Sequence, residues 1–418
     1  MQIPMQREEK MQGIKSIRYG LLALAAVAAL MTVVACGGDD PTPTPAPAAA
    51  APAAAPAPEP QVLKVGFTVP MSGTYAQWGR LASGMQCAID ELHDSGELGN
   101  VTMELLPEDS KADQAEGVTG LRKLASLDGA PVIMTIFTGI GLAQKPVAEE
   151  LEVVLVSSGI QNPKFAKGSD WVFRNALNTT WNADALVRYI TEEAKEDLKG
   201  ETWAVFKEEG NDSLDLQIDR LKELAAEMGF TVAVENYQKG DTKFDTPITK
   251  IKKLEPKIVQ TMALGQELGL IFNAMAQQGV KPDYRLSGGG AEGNVDLIRI
   301  AGDNANGIIY SAPAYEAGAD PRTQRFVDCY SKAQGGDTPD TYAASFYDGT
   351  LFIAEAVKSG ADVSSAADIR DHLAKVKSVH GVSGRWDYTS DGDAWAPVSI
   401  GQVQDGKFVK IVSQIEPY

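Results

Sequence analysis

Residues 62–79 read VLKVGFTVPMSGTYAQWG. Val62 to Val69 is a β-branched, apolar run closed by Pro70. The Ser-Gly-Thr that follows is loop chemistry leading into an amphipathic segment at Trp78–Leu92. Strand, loop and helix in that order begin a βαβ unit. The pattern continues outward, with strands expected at Val101–Leu106, Val132–Phe137 and Val153–Ser157. Helices are expected between them at Gln114–Leu127 and Leu142–Leu151. This alternation builds a parallel sheet covered by helices, a first α/β lobe.

After Trp171–Arg174 and a helix at Asn182–Glu193, the alternation restarts with a strand at Thr202–Lys207. In the next segment Leu214, Ile218, Leu221, Ala225 and Met228 fall on one helical stripe. A strand follows at Val232–Tyr237, and Thr246-Pro247 supplies an N-cap and first-turn proline for a short helix ending at Lys253. Ile258–Ala263, Leu268–Gln278, Tyr284–Ser287, Asn294–Ile300 and Ile308–Ser311 complete a second α/β lobe. Long helices at Thr323–Ala333, Tyr342–Ser359 and Ala366–Val376 add to an existing lobe. The tail, at Gly384–Asp387, Val398–Val403 and Phe408–Ser413, reads as strands and hairpins. The fold class is α/β, with two Rossmann-like lobes built on parallel sheets.

The first sixty residues set the compartment. Lys10, Lys15 and Arg18 precede an apolar run from Leu21 to Val34 broken by Thr32. That run is short of the roughly 20 residues a spanning helix needs, and it reads as a signal-peptide core. It ends in Val33-Val34-Ala35-Cys36-Gly37, which resembles a bacterial lipobox with Cys36 as the lipidated residue. Residues 41–60 hold 8 Pro and 9 Ala, an extended stalk with nothing to form a core. Residues 1–35 are therefore expected to be a signal peptide and 36–60 a lipid-anchored stalk. The chain beyond is longer than one core usually holds.

The formal net charge of −18 argues against nucleic acid as a partner. His93, His372 and His380 are the only histidines, and none stands in a metal-binding spacing. No GxSxG elbow occurs, so neither a catalytic centre nor a cofactor is expected. Gly288 to Gly293 fits GxGxxG after a strand, but it is more simply a strand-to-helix turn. Past Cys36 only Cys87 and Cys329 remain. Cys87 lies in an apolar helical pattern, and a buried free thiol is expected there in preference to a bridge.

Ligands of open parallel sheets sit at the carboxyl ends of the strands. Thr138-Gly139 leaves one strand and Ser157-Ser158-Gly159 the next. Free amides at the helix start after Thr138, with these hydroxyls, suit a carboxylate or similar polar group. For Ser157, turn and capping duty is an equal alternative.

Residues 63–79 resemble the opening of the leucine/isoleucine/valine-binding proteins of ABC transporters. Residues 146–158, PVAEELEVVLVSS, are similar to the family's segment before its second ligand loop. Glu108 to Asp113 and Asn294 to Gly302 agree as well. The resemblance implies the type I periplasmic binding fold, whose chain crosses between lobes three times, here near Trp181, Ala312 and Pro397. Lobe 1 would hold 61–181 with 313–396, and lobe 2 would hold 182–312 with 397–418. It implies a monomer that binds an apolar amino acid, passes it to a membrane permease and catalyses nothing.

Carried over, Trp78 is the aromatic wall, Thr138 and the Gly159 backbone hold the solute's polar head, and Tyr342 takes the aromatic position on the long helix. Phe137 lines the apolar part, and Gln161 stands where the family has threonine. Leu264 replaces a tyrosine, and a closing tyrosine is missing from the Asn211-Asp212 loop. The family's ammonium-pairing acid falls at Gly290. Either Glu292 or Asp212 replaces it, or the ligand is an organic acid, amide or urea-like solute, because a buried unpaired ammonium costs several kcal/mol. A sensory receptor reporting to a membrane partner is the rival role.

Overall fold

The computed structural model describes residues 59–263, 266–288 and 295–415. The expected signal peptide, Cys36 and the part of the expected stalk through Pro58 lie outside them, as do Leu264, Gly290 and Glu292.

The first sheet is formed by β1 (Gln61–Val69), β2 (Val101–Asp109), β3 (Val132–Thr135), β4 (Val154–Ser157) and β5 (Val172–Arg174). All its pairings are parallel, in the order β2-β1-β3-β4-β5. Every residue of β3 and β4 is buried, as a strand covered on both faces requires. One cover is α2 (Gln114–Ser126) and α3 (Thr138–Leu151), over a core containing Leu121, Leu124, Ile133 and Leu155. The other is α1 (Leu81–Ser95), over Leu63, Val65 and Met134.

The chain then passes to a second sheet. Helix α4 (Thr179–Arg188) packs on α5 (Asp212–Met228). Strands β6 (Thr202–Glu208), β7 (Thr231–Tyr237), β8 (Ile258–Met262), β9 (Tyr284–Ser287) and β10 (Ile309–Pro313) pair in parallel. Helices α6 (Asp245–Lys252), α7 (Gln266–Gln277) and α8 (Val295–Ala301) connect them. In α5 the expected stripe is buried at Leu214, Ile218, Leu221 and Ala225.

A second passage leads to α9 (Pro321–Ala333), α10 (Thr341–Lys358) and α11 (Ala366–Leu373), which return to the first lobe. There α10 packs along α1. The two helices approach so closely that a Cβ on Gly84 would stand 2.5 Å from the Ala343 carbonyl oxygen, which admits only glycine. A small antiparallel sheet follows, with β11 (Ser378–Gly381), β12 (Gly384–Tyr388) and β13 (Ala394–Trp395). Buried Asp348 of α10 ties it down by accepting from Val382 N at 2.7 Å and from Trp386 Nε1 at 3.1 Å.

The third passage ends in β14 (Val398–Gln404) and β15 (Lys407–Ile415), which complete the second sheet in the order β15-β14-β10-β9-β8-β6-β7. These two strands are antiparallel, so the second sheet is mixed. Their turn is Asp405-Gly406, both at positive φ, as a two-residue hairpin requires.

Three expectations are corrected. Cys87 and Cys329 form a disulfide joining α1 to α9, with Cα atoms 5.9 Å apart, where a free thiol was expected. The two cysteines are 242 residues apart in sequence, and only the return of the chain to the first lobe brings them together. Helix α6 starts at Asp245 with Phe244 at the N-cap, so Thr246 and Pro247 lie inside its first turn. Helix α3 starts at Thr138, four residues before Leu142, because the first-turn glycines that read as loop are helical.

Candidate functional site

A cavity of about 370 Å³ lies between the lobes, within the range of about 300–1,000 Å³ usual for small-molecule sites. The carboxyl ends of β1, β3, β4, β6 and β7 deliver its walls. After β1, a short turn carries Tyr75 and Trp78 into the cleft, 4% and 1% exposed. Asp109 anchors this loop by accepting from Met71 N at 2.8 Å and Ser72 Oγ at 2.5 Å.

After β3, Phe137 adopts φ +71° and ψ 125°, a region that side chains other than glycine rarely enter. The turn throws its ring onto both aromatics of the first loop. Tyr342, Trp78, Phe137 and Tyr75 thereby form a row, with successive centroids 4.9, 5.2 and 5.5 Å apart. No side chain caps α3. Its first amides, at Thr138, Gly139 and Ile140, have no partner within the helix and belong to residues lining the cavity. With the helix dipole they make a place for a carboxylate.

The loop after β4 divides its labour. Ser157 sits behind the wall, fully buried, and its hydroxyl donates to the Thr135 carbonyl oxygen at 2.7 Å. That hydroxyl oxygen also accepts from Gly159 N at 3.3 Å and Ile160 N at 3.1 Å, so turn duty uses it fully. Gly159 lines the cavity, and a Cβ there would meet Ile136 at 3.1 Å and Phe346 at 3.2 Å. Gln161 lines it too. Its Oε1 accepts from Asn182 at 2.8 Å, and Asn182 in turn accepts from Ser311 Oγ at 3.0 Å. This chain of bonds joins the first lobe to two separate segments of the second.

From the second lobe come Asp212 and Ser213 at the start of α5, Glu208 at the end of β6, and Lys239 after β7. Ser213 Oγ lies 2.7 Å from Thr138 Oγ1, so the cleft is closed around the cavity. Burial raises the pKa of Glu208, with Lys239 opposing and Glu267 reinforcing the shift. Tyr75, Glu208, Lys239 and Ser213 escaped sequence reasoning. Each lies in or beside a polar turn, and nothing local distinguishes a turn residue that faces the cleft from one that faces solvent. Among the described residues, no group of three or more His, Cys, Asp or Glu side chains is placed to hold a metal, and no helix is long and apolar enough to cross a membrane.

Trp78, Phe137, Thr138, Gly159, Gln161 and Tyr342 thus converge on one cavity, and Ser157 stands behind it. The profile of the periplasmic binding protein family matches residues 62–407, and the chain belongs to that family. It is 27% identical over 347 residues to a Leu/Ile/Val-binding protein homologue of Brucella abortus, covering 80% of this chain and 88% of that one. A branched-chain amino acid transporter substrate-binding protein from Streptococcus pneumoniae, solved with isoleucine, superposes with a TM-score of 0.73 at 22% identity. The match covers 85% of this chain and all of that one. A solute-binding protein of an ABC transporter from Rhodopseudomonas palustris, solved with 3,4-dihydroxybenzoic acid, gives 0.71 at 20% identity, covering 85% and 99%. The protein is therefore a periplasmic binding protein of the Leu/Ile/Val type, with the α/β architecture of two lobes and three connecting passages.

Proposed function

We propose that this protein is the extracytoplasmic receptor of an ABC transporter. It takes one amino acid with an apolar or aromatic body into the cleft, closes over it, and hands it unchanged to the permease. The lipidated Cys36 and the stalk would tether a monomer at the membrane surface. The observation that carries this reading is the uncapped start of α3, whose amides open onto a cavity walled by four aromatic rings. Such a site receives a carboxylate at one point and a flat or apolar body along the row. Asp212 on the facing wall is available to an ammonium group beside that carboxylate, in place of the acid missing at Gly290.

A second reading, an aromatic carboxylic acid, is favoured by the unbroken row of rings, and relatives solved with hydroxybenzoates bind such solutes. Thermal unfolding against leucine, valine, phenylalanine, benzoate and 4-hydroxybenzoate separates the two. A ligand at a hundred times its dissociation constant adds about 2.7 kcal/mol of apparent stability. Stabilisation by an amino acid supports the first reading and stabilisation by benzoates alone the second. No shift with any of the five counts against both.

A further inference from the structure

The aromatic row ends beside carboxylates that form no ion pair with any described residue. Gly159, Gln161 and Tyr342 line both the main cavity and a small pocket with Pro313 and Thr341, which marks the hinge end. At the other end of the row stands Tyr75, 4% exposed, whose buried hydroxyl has no hydrogen-bond partner among the described residues. The Glu208 carboxylate lines the cavity beside it and has no hydrogen bond or ion pair with any described residue. Behind it Glu267, 1% exposed, accepts from Gly240 N at 2.7 Å through one oxygen, and its other oxygen is buried with no partner among the described residues. The neighbouring cation, Lys239, is exposed, and its Nζ lies 4.2 Å over the Tyr75 ring.

Two carboxylates against one solvent-facing lysine leave this end of the cavity negative. A hydrocarbon group delivered here would bury Glu208 and Tyr75 without satisfying either, which disfavours binding. A positively charged group with N–H donors satisfies both. Aromatic faces beside it add attraction.

We propose that Tyr75 and Glu208 form a cation-reading subsite. On this account the solute carries, besides the carboxylate held at α3, an ammonium or similar cationic group at its far end. This rests on the reading of the cleft as a carboxylate site. Glu208 supplies the opposing charge and Tyr75 Oη a hydrogen-bond acceptor. Glu267 deepens the field without touching the solute, and Lys239 moderates it. The class is a basic or ω-amino acid.

The test is titration calorimetry of the full-length protein with two pairs matched in shape: 6-aminohexanoate against heptanoate, and lysine against 2-aminoheptanoate. In each pair a methyl group replaces the terminal ammonium. The amine-bearing member is expected to bind at least tenfold tighter. Glu208→Gln should collapse that ratio toward one, and Lys239→Met should raise it. Equal binding within the pairs, or preference for the methyl member, overturns the subsite and leaves the carboxylate reading intact. A ratio unmoved by Glu208→Gln also overturns it. Should that variant fail to fold, an unmoved ratio in Lys239→Met, at an exposed position, has the same force. Binding of none of the four compounds also overturns the subsite, whereas the carboxylate reading falls only if leucine, valine, phenylalanine, benzoate and 4-hydroxybenzoate fail as well.

Discussion

The Thr138 hydroxyl lies 2.7 Å from the Ser213 hydroxyl, so the first turns of α3 and α5 touch across the cleft. One residue belongs to each lobe, and the bond exists only when the lobes are closed. A bond of this kind contributes about 0.5–1.5 kcal/mol net. Ser213→Ala should therefore weaken the affinity for a cleft-bound solute by roughly 2- to 10-fold, read by calorimetric titration. An unchanged dissociation constant would show that the hydroxyl pair does not bias closure.

Phe137 holds a strained backbone to place its ring. Phe137→Gly and Phe137→Ala both lose the ring, but only glycine occupies that φ without cost. The glycine variant should be the more stable of the two by about 1 kcal/mol or more in denaturant unfolding. Equal stability, or the reverse order, means the turn relaxes when the ring is gone.

The bridge between Cys87 and Cys329 spans 242 residues. Replacing both cysteines with alanine should cost about 2–4 kcal/mol of stability. In the denatured, unreduced wild-type protein neither thiol should react with an alkylating reagent. Modification of Cys87 or Cys329 without prior reduction would contradict the bridge.

Asp348 makes stability depend on pH in an unusual direction. Burial pushes its carboxyl up to about 6, against hydrogen bonds from Ser383, Val382 and Trp386 that favour the charged form. In the unfolded chain it titrates near ~3.9. Between those values the folded state keeps a proton that the unfolded state has released. The group's contribution is thus full below about pH 4 and is lost as pH rises through 6. Asp348→Asn cannot titrate, so the stability advantage of wild type over this variant should shrink by on the order of 3 kcal/mol between pH 4 and 7. A constant difference would mean that the donors hold the carboxylate charged throughout.

Most of the fold was legible because the strands and helices carry their own periodicity. Val62–Val69 and Leu214–Met228 announce themselves by apolar spacing alone, and both are where the spacing puts them. What failed was information held between distant segments. Cys87 and Cys329 meet only after two passages of the chain. The start of α3 was misplaced because Thr138-Gly-Ile-Gly141 has poor helix propensity, and the turn at Phe137 overrides it. In the site, the residues of the first lobe were readable from the resemblance, Tyr75 excepted. Glu208 and Lys239 were not, since their meeting with Tyr75 depends on how one lobe closes on the other. Glu292, one of the two acids expected as replacements for the missing one, lies outside the described residues.

On the proposed function, a small carboxylate solute binds in the cleft behind Trp78. The most direct measurement is calorimetric titration of wild type and Trp78→Ala with whichever of leucine, phenylalanine, lysine or benzoate raises the wild-type melting temperature most. Trp78 is 1% exposed and meets both Phe137 and Tyr342, so its loss opens the wall at the middle of the row. Wild type should bind one-to-one, and the variant should lose at least a hundredfold in affinity, about 3 kcal/mol for a buried aromatic removed. Equal affinity in a variant that remains folded would place the solute elsewhere and contradict the claim.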